Sequence, residues 1–560
     1  MKQILNHLRT GQIEIADVPC PVVRPNHLLI QSTRSLISAG TERMLVEFAQ
    51  AGLIAKARSQ PDKVRQVLDK IKTDGLLPTL ETVFSRLDEP LPLGYCNVGR
   101  VVEVGAGVRG FQVGDRVASS GSHAEMVCVP ATLAAKVPDD VDDDSASFTV
   151  LGSIALNGVR LLQPTFGEQF VVYGLGLLGI LSVQLLRAHG CQVLGVDLNR
   201  QRCELAERFG AQSVCIRDGG DPLRAADVFA GGRGVDGVLI TASAKGDSIV
   251  SESARMCRKR GRIVLVGVVN LSLNRAEFYE RELSFQVACS YGPGRYDPVY
   301  ESGHDYPLPY VRWTVARNFD ALLGAMASRQ LDVAPLVSRS VPLADAAQAY
   351  DAVVKDGSVL GVVIEYPQQP APTQRVVSIA EPVAARPSEP TRPVIGVIGA
   401  GNFTKLVLLP AIRAAGAPIR TIASAGGVTA LHAARKFGAQ HAVSDYRAIL
   451  DDPQINTVFI TTRHNSHAKM VVEALQAGKH VFVEKPIAID EDGLQSVRDA
   501  HAAHPDRLIM CGFNRRFAPH AARAHELLAG RSEPLAINIT INAGEMPADV
   551  WHHDPQIGGG

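Results

Sequence analysis

Two glycine-rich turns contain the residues whose types and spacing could do chemistry. In the first turn, Gly174, Gly176 and Gly179 follow the apolar run FVVY and precede the helix-like run LLGILSVQLL. Glycines at this spacing permit a tight turn, close approach of a pyrophosphate to the backbone, and close packing of helix on strand. The pattern predicts a dinucleotide site at these three glycines, with Leu178 as a further cofactor contact.

An acidic residue follows the first turn at the distance that ribose recognition requires. The next strand-like run, QVLGVD, ends in Asp197, 18 residues after Gly179. A carboxylate at this place binds the ribose 2′-hydroxyl and repels a 2′-phosphate. We therefore expect NAD, and not NADP, at the first site.

A second turn, GAGNFT, follows the strand-like run VIGVI. It places Gly399 and Gly401 at the first two glycine positions, and Thr404 at the third, where a side chain crowds the helix–strand contact. We expect both glycines, together with Asn402 and Phe403, to contact a cofactor.

The second turn lacks the acid that would select its cofactor. The next strand-like run, IRTIASA, has Ala423 or Ser424 where a carboxylate is expected, and no arginine follows directly. NAD and NADP are therefore both open for the second site. A Rossmann-like fold without a ligand is the alternative for this part of the chain.

A proline-rich stretch divides the chain, because residues 367–393 contain seven prolines in 27 residues. Proline restricts the backbone and favours an extended linker. The predicted fold class is α/β. In order, we expect a β-rich GroES-like catalytic domain, an inserted Rossmann domain, a return to the catalytic domain, the linker, a second Rossmann domain and the start of an α+β sheet domain. The corresponding residues are 1–150 (with a helical insertion at about 48–90), 151–290, 291–366, 367–393, 394–515 and 516–560.

Composition excludes several classes of protein. The 560 residues are 46% apolar, and 57 basic side chains balance 57 acidic ones, which argues against disorder and against nucleic-acid partners. The nine cysteines form no C-x-x-C pair, which favours a reducing compartment. The N-terminus, MKQILNHLRTGQ, lacks a signal peptide, and the most apolar run, Val171 to Leu186, is only 16 residues long. We expect a cytoplasmic protein without a membrane partner.

The first half resembles the medium-chain (alcohol-dehydrogenase-like) dehydrogenase/reductase superfamily. The segment PLGYCNVGRVVEVGAGVRGFQVGDRV and the inserted dinucleotide domain carry this resemblance over roughly residues 1–366. Zinc-dependent members have a cysteine where Ser38 stands, and Gly-His-Glu where this chain has Gly-Tyr95-Cys96. Neither Cys nor His occurs in TVLGSIA, where a third ligand is expected. We expect no zinc; a site rebuilt from Cys96, Glu42 and His123 is the alternative.

Without zinc, another group must polarise a carbonyl or accept a proton. Tyr95 is the first catalytic candidate, with Ser38 and Thr41 as hydrogen-bonding partners that also contact substrate. The alternative is that Tyr95 only packs or stacks on substrate. A Tyr- and Arg-rich stretch, residues 289–313, contains Tyr291 and Arg295 as predicted substrate contacts; a surface loop is the alternative there.

The second half resembles the glucose–fructose oxidoreductase and inositol dehydrogenase (Gfo/Idh/MocA) family. Three ordered motifs carry the resemblance: GVIGAGNF, TTRHNSHAKMVVEALQAGKHVFVEKP and GFNRRFAP. The resemblance implies that Lys485, in the Glu-Lys-Pro element, is catalytic and stabilises developing alkoxide charge. It implies cofactor contacts at Thr462, Arg463, His464, His467 and Glu484, and substrate contacts at Asn514 and Arg515.

The resemblance extends to the start of a second domain in that family. LAINITINAG is predicted to be its first strand, and WHHDPQIGGG follows. The resemblance places an Asp and a His that complete the catalytic set beyond this point. We expect either that further chain follows or that this half lacks its general base.

Together these patterns predict an NAD(P)-dependent oxidoreductase that acts on CH–OH groups and has two dinucleotide-binding modules. By resemblance of the second half, the substrate is a small sugar, sugar nucleotide or other polyol in carbohydrate or surface-polysaccharide metabolism. Two alternatives stay open: a catalytically silent scaffold or sensor that binds dinucleotide, and a chain in which only the N-terminal half is active. A homo-oligomer is also open.

Overall fold

A computed structural model describes residues 1–60, 62–65, 67, 83, 84, 86–244, 246, 248–367, 373–379, 392–540 and 550–559. The chain forms two compact units. Unit 1 comprises Met1–Asp17 and Val23–Pro372, and unit 2 comprises Val18–Val22 and Thr373–Gly560.

The β-rich part of unit 1 has two sheets. A three-stranded sheet has the order β2-β1-β4, and a seven-stranded sheet has the order β15-β16-β3-β5-β6-β8, with β7 paired to β3. The strands are β1 (Lys2–Asn6), β2 (Ile13–Asp17), β3 (His27–Ser38), β4 (Leu91–Pro92), β5 (Asn97–Val104), β6 (Arg116–Ser119), β7 (Met126–Pro130), β8 (Ala134–Lys136), β15 (Val337–Pro342) and β16 (Gly361–Glu365). Because β15 and β16 come from the end of the unit, the chain returns to its first sheet, as predicted for an inserted domain.

The inserted part of unit 1 is a parallel six-stranded sheet of order β11-β10-β9-β12-β13-β14. Its strands are β9 (Gln169–Tyr173), β10 (Gln192–Asp197), β11 (Gln212–Cys215), β12 (Val235–Ile240), β13 (Cys257–Leu265) and β14 (Ser284–Val287). This is the doubly wound order of a Rossmann domain, which binds ligands where the strand order reverses.

The helices of unit 1 are found before, within and after the inserted domain. They are α1 (Thr41–Gln50), α2 (Leu53–Ser59), α3 (Asp143–Ala146), α4 (Thr149–Leu162), α5 (Leu177–Ala188), α6 (Arg200–Arg208), α7 (Pro222–Phe229), α8 (Ser248–Met256), α9 (Arg275–Tyr279), α10 (Pro298–Glu301), α11 (Val315–Ala327) and α12 (Ala346–Lys355). Helix α5 is apolar on nearly all sides because it is buried in the core beside β9. No helix in the described ranges is both long and apolar enough to cross a membrane. The predicted insertion at 48–90 is helical in its described first part, and residues 68–82 lie outside the described residues.

Unit 2 contains a seven-stranded sheet of order β17-β20-β19-β18-β21-β22-β23. Its strands are β17 (Val376–Ser378), β18 (Ile395–Ile398), β19 (Ile419–Ala423), β20 (His441–Val443), β21 (Thr457–Ile460), β22 (His480–Glu484) and β23 (Ile509–Gly512). Its helices are α13 (Leu409–Ala414), α14 (Val428–Phe437), α15 (Arg447–Leu450), α16 (His467–Gln476), α17 (Glu491–Ala503) and α18 (Pro519–Leu528). All pairs are parallel except β17 with β20, so six strands form a second Rossmann sheet.

Two details of unit 2 differ from the sequence-based expectations. Strand β17 lies inside the range 367–393 that we predicted as linker, because its alternating backbone groups pair with the edge of β20. The predicted strand LAINITINAG is wrong in its described part: residues 535–540 form no strand and are exposed. These residues have no neighbouring strand to pair with among the described ones, and an unpaired strand is not stable alone. Residues 541–549 lie outside the described part.

Candidate functional site

The three glycines of the first turn have distinct geometric roles at the end of β9. Gly174 has φ 101°, and a Cβ there would lie 2.6 Å from the Ala242 nitrogen. A Cβ on Gly179 would lie 1.9 Å from the Gly174 carbonyl oxygen, so glycine permits the helix to approach the turn. A Cβ on Gly176 would meet nothing within 4 Å. The turn therefore leaves open space beside the N-terminus of α5, where a pyrophosphate fits.

Asp197 ends β10 next to this turn and is only 9% exposed. Its carboxylate accepts hydrogen bonds from the Leu175 N–H at 2.6 Å and the Asn199 N–H at 2.8 Å. These bonds orient the carboxylate while each oxygen keeps a lone pair for a ribose hydroxyl. The Arg202 guanidinium lies 4.0 Å away, a neighbour that the sequence reading missed although it follows Asp197 by only five residues.

Tyr95 lies between β4 and β5 with its hydroxyl buried. The hydroxyl is close to Ser38 and Thr41 but makes no hydrogen bond of good geometry to a described residue. Burial, reinforced by Cys96 and Glu42, raises the pKa of Tyr95 well above its ordinary value. The group therefore stays protonated at neutral pH, and it can donate a hydrogen bond to a substrate oxygen.

Beside Tyr95, the fully buried carboxylate of Glu42 is the centre of a polar network. It accepts hydrogen bonds from the Ser38 N–H at 2.9 Å, from His123 Nε2 at 3.1 Å and from the Tyr350 hydroxyl. His123 Nδ1 lies 2.7 Å from the Ser35 hydroxyl oxygen. The network joins α1, α12 and the end of β3, so it fixes the backbone around Ser38.

The alternative zinc set is Cys96, Glu42 and His123. Glu42 and His123 bind each other, and burial, reinforced by Glu42, raises the pKa of the Cys96 thiol. Within the described ranges, no group of three His, Cys, Asp or Glu side chains is arranged to hold a metal ion. The absence of zinc stays a prediction.

Tyr291 and Arg295 lie together in unit 1. Tyr291 is 4% exposed, and its hydroxyl lies 3.0 Å from Ser120 Oγ. Arg295 forms an ion pair with Glu301 and lies over the Tyr291 ring at 5.7 Å. Tyr291 and Arg295, the two predicted substrate contacts, thus pack against each other, and the Tyr291 side chain has little solvent-exposed surface.

The second glycine turn accommodates its threonine by changing the helix. Gly399 has φ 105°, and a Cβ there would lie 2.8 Å from the Thr461 carbonyl oxygen, whereas the Cβ position of Gly401 is open. The Thr404 hydroxyl donates to Thr461 Oγ1 at 2.8 Å, and the helix begins with a π-helical turn, Thr404–Leu408. A wider first turn gives the side chain the room that a third glycine would otherwise provide.

Unit 2 contains a cavity of about 910 Å³ at the carboxyl end of its sheet. Most of the predicted second-site residues line it, namely Gly399, Gly401, Asn402, Phe403, Thr462, Arg463, His464, His467, Glu484, Lys485 and Asn514. Arg515 is outside this lining and exposed on the adjacent turn. One cavity therefore joins the glycine turn to the Glu-Lys-Pro element.

Glu484 and Lys485 give the cavity an acceptor and a cation. Glu484 ends β22, and its Oε1 is buried without a hydrogen-bond partner among the described residues. Burial raises its pKa, opposed by the Lys485 N–H and charge. An orphaned acceptor in a cavity wall suits a hydroxyl of a bound ligand, and Lys485, which is exposed, can approach the same ligand.

Sequence reasoning missed an aromatic part of the wall. Trp551 and His552 line the cavity and stack at a centroid separation of 3.7 Å. His464 lies edge-on to Trp551 at 4.8 Å, and its Nδ1 lies 2.8 Å from the Gly558 carbonyl oxygen. The motif WHHDP was the only sequence signal, and its position relative to the cavity depends on the fold.

The cofactor-selecting corner of unit 2 has hydroxyls and no acid at the end of β19. Ser424 Oγ lies 2.6 Å from Thr429 Oγ1, and both residues line the cavity with Ala425. This corner neither repels a 2′-phosphate nor supplies a cation to bind it, so the preference between NAD and NADP stays a prediction to be tested.

Two Rossmann sheets, each with an open glycine turn, define an α/β fold with room for two dinucleotides, and the first of them is inserted in a β-rich sheet domain. Comparison with sequence families agrees. Residues 67–139 match the alcohol dehydrogenase GroES-like domain, residues 178–302 match zinc-binding dehydrogenase, and residues 394–513 match the Gfo/Idh/MocA oxidoreductase family with an NAD-binding Rossmann fold. Both resemblances inferred from the motifs are thereby confirmed.

Individual relatives are similar over parts of the chain. An uncharacterised oxidoreductase, YrbE, of Bacillus subtilis is 36% identical over 28% of this chain and 46% of its own length. Levoglucosan dehydrogenase of Pseudarthrobacter phenanthrenivorans is 34% identical over 25% of this chain and 34% of its own length. D-guloside 3-dehydrogenase of Escherichia coli is 28% identical over 46% of this chain and 72% of its own length. The chain thus spans less than half the length of the first two relatives.

The fold of one solved structure is similar to that of about two thirds of this chain. An Escherichia coli oxidoreductase/dehydrogenase of unknown specificity involved in membrane biogenesis covers 66% of this chain and all of its own, with 19% identity and a TM-score of 0.51. At this identity the likeness shows the fold alone.

Proposed function

We propose that the chain is an NAD(P)-dependent oxidoreductase with two dinucleotide-binding modules, acting on a CH–OH group of a sugar or related polyol. The observation that carries the proposal is the unit 2 cavity, which joins an open glycine turn, Lys485 and a Glu484 oxygen, Oε1, that has no hydrogen-bond partner among the described residues. The names of two relatives, levoglucosan dehydrogenase and D-guloside 3-dehydrogenase, support a carbohydrate-like substrate.

In the second module, a bound dinucleotide supplies the hydride acceptor or donor. Gly399 and Gly401 leave room for its pyrophosphate, and Glu484 accepts a hydrogen bond from a ligand hydroxyl. In the oxidative direction hydride would pass from the substrate carbon to the dinucleotide and the hydroxyl proton to solvent water. The Lys485 ammonium stabilises the negative charge that develops on the substrate oxygen. Because Lys485 is exposed, its flexible side chain can reach that oxygen.

In the first module we infer zinc-free chemistry. Tyr95 has a protonated hydroxyl that lies close to Ser38 and Thr41 and makes no hydrogen bond of good geometry to the described residues, so it donates a hydrogen bond to a substrate carbonyl in the reductive direction. Glu42 holds the Ser38 backbone beside it. Asp197 favours NAD over NADP in this module through its carboxylate at the end of β10.

Two glycine substitutions test whether both modules bind dinucleotide. Gly176→Phe and Gly401→Phe each place a ring in open space at a backbone conformation that other residues adopt, so each should fill one cofactor site without strain. Calorimetric titration with NADH should give two sites for the native chain, one for each variant and none for the double variant. If Gly401→Phe leaves the number of sites unchanged, unit 2 is not a dinucleotide site.

The same variants allow the Asp197 carboxylate to be tested alone. In the Gly401→Phe chain, Asp197→Ala should weaken NADH binding about 10–100-fold, because a hydrogen bond to a charged group is lost. Binding of NADPH should stay equal or become tighter, since a repulsive charge is removed. The exposed Asp218 provides the control, and Asp218→Ala should change neither constant. An equal loss for both cofactors would contradict the role of Asp197 in selection.

A further inference from the structure

His467 occupies an unusual position at the first turn of α16. Its ring is 0% exposed, and both ring nitrogens face backbone carbonyl oxygens. Nδ1 lies 2.7 Å from the Pro486 oxygen, and Nε2 lies 3.2 Å from the Thr462 oxygen. The imidazole thus contacts the backbone of two loops, and although His467 belongs to the cavity lining, its side chain has no solvent-exposed surface.

The two carbonyls belong to loops that follow neighbouring strands. Thr462 comes just after β21 and Pro486 just after β22, and these strands are paired in parallel. Both loops contribute to the cavity, the first through Thr462 and the second through Glu484 and Lys485. His467 lies between these two loops. A neutral imidazole donates from one nitrogen, and the shorter contact, 2.7 Å, is the one to the Pro486 oxygen.

The Lys485 side chain depends on its backbone for placement. It is exposed, and in the described part of the chain no side-chain hydrogen bond or ion pair holds its ammonium. Its position is then determined by the turn on which it stands. Pro486, the next residue, is the one whose carbonyl His467 binds.

We propose that His467 is a positioning residue that holds the Lys485 turn against the Thr462 loop, and that it does not itself bind cofactor or substrate. This role deepens the proposed function of the unit 2 cavity and rests on it. It also revises the expectation, drawn from family resemblance, that His467 contacts the cofactor.

The described chain offers a matched control for this bridge. Lys479 is also buried, and its Nζ donates to the carbonyl oxygens of Asp452 and Ile455 at 2.8 Å each. It precedes β22, whereas Lys485 follows that strand, so this second bridge lies at the opposite end of the same sheet. Removing either bridge breaks two contacts to backbone carbonyls, but only one bridge touches the Lys485 turn.

The test compares His467→Leu with Lys479→Met in a Trp313→Phe chain. That chain keeps Trp551 as its one tryptophan, beside the cavity, so energy transfer from Trp551 to NADH reports binding in unit 2. Lysine amines are ¹³C-methylated, and the Lys485 signal is assigned by its loss in Lys485→Arg. In the native chain, NADH should shift this signal.

We expect His467→Leu to abolish the shift of the Lys485 signal while the NADH dissociation constant changes less than about threefold, whereas Lys479→Met keeps both. His467→Asn and His467→Gln preserve a donor near the Nδ1 or the Nε2 position, so they should give intermediate shifts of the Lys485 signal. They replace the leucine variant in this test if that variant does not fold. Where the native second module turns over a polyol, His467→Leu should lower kcat about 10–100-fold, as misplacement of a reacting group by about 1 Å does.

Two results would overturn the positioning role. One is weakened NADH binding in His467→Leu with an unchanged Lys485 signal, which would make His467 a cofactor contact. The other is an equal loss of the signal shift in Lys479→Met, which would make the effect one of general stability. Absence of polyol turnover in the native second module would instead count against the proposed function, since the NADH-dependent signal does not require turnover.

Discussion

Replacing Lys485 by methionine should lower kcat of the second module about 10²–10³-fold, the loss seen when one donor to a developing oxyanion is removed. Methionine keeps the length of the side chain and removes its charge. NADH binding, measured by energy transfer from Trp551, should be nearly unchanged because Lys485 is exposed and its ammonium makes no hydrogen bond or ion pair within the described part of the chain. The measurement is steady-state reduction of NAD by polyols in the Gly176→Phe chain, where the first module is closed.

Lys469→Met is the control for this experiment. Lys469 is an exposed lysine on α16 that lies 3.9 Å from Glu473 and outside the 910 Å³ cavity. Its substitution should leave kcat unchanged. If Lys485→Met turns over as fast as the parent chain, the second module uses another group. If the Gly176→Phe parent is itself inactive while Gly401→Phe is active, only the first module is an enzyme.

Replacing Glu42 by leucine should destabilise unit 1 by about 3–5 kcal/mol, the usual cost of removing one partner of a buried charged network. The Ser38 N–H, His123 and Tyr350 would all lose their acceptor in a place that water does not reach. In a Trp551→Phe chain, fluorescence of Trp313 reports unit 1, and urea unfolding should show a lower midpoint with an unchanged slope.

Glu47 lies on the same helix, α1, and is exposed. Glu47→Leu should therefore change the free energy of unfolding by less than about 0.5 kcal/mol. A Glu42→Leu chain as stable as Glu47→Leu would mean that the network contributes nothing net. That outcome would also remove the reason for assigning the local rigidity around Tyr95 to Glu42.

Local patterns were sufficient for the dinucleotide turns. Glycine spacing, the apolar run before it and the helix after it all act over about 20 residues, and the strand orders of both Rossmann sheets agree with them. The effect of Thr404 was less predictable. Its crowding was foreseen, but neither the π-helical turn that begins at Thr404 nor the hydrogen bond from Thr404 to the distant Thr461 could be predicted from local sequence.

Contacts between distant segments were beyond local patterns. Glu42 and Tyr350 are separated by 308 residues, and no sequence motif at either residue predicts their contact. His467 was found from family resemblance as a site residue, but its role depends on which carbonyls the fold brings to its two nitrogens. Trp551 and His552 were read only as the sequence after a predicted strand, so their place in the cavity wall could not be inferred.

Strand β17 has a practical consequence for anyone who wishes to express unit 2 alone. The proline-rich stretch suggests Pro393 as the natural starting point, yet Val376–Ser378 cover the edge of β20 by antiparallel pairing. A gene product that starts at Pro393 would expose the N–H and C=O groups of that edge to other molecules, which invites strand exchange and precipitation. A shortened chain should therefore begin no later than Thr373, and it would still lack Val18–Val22, the other segment of unit 2.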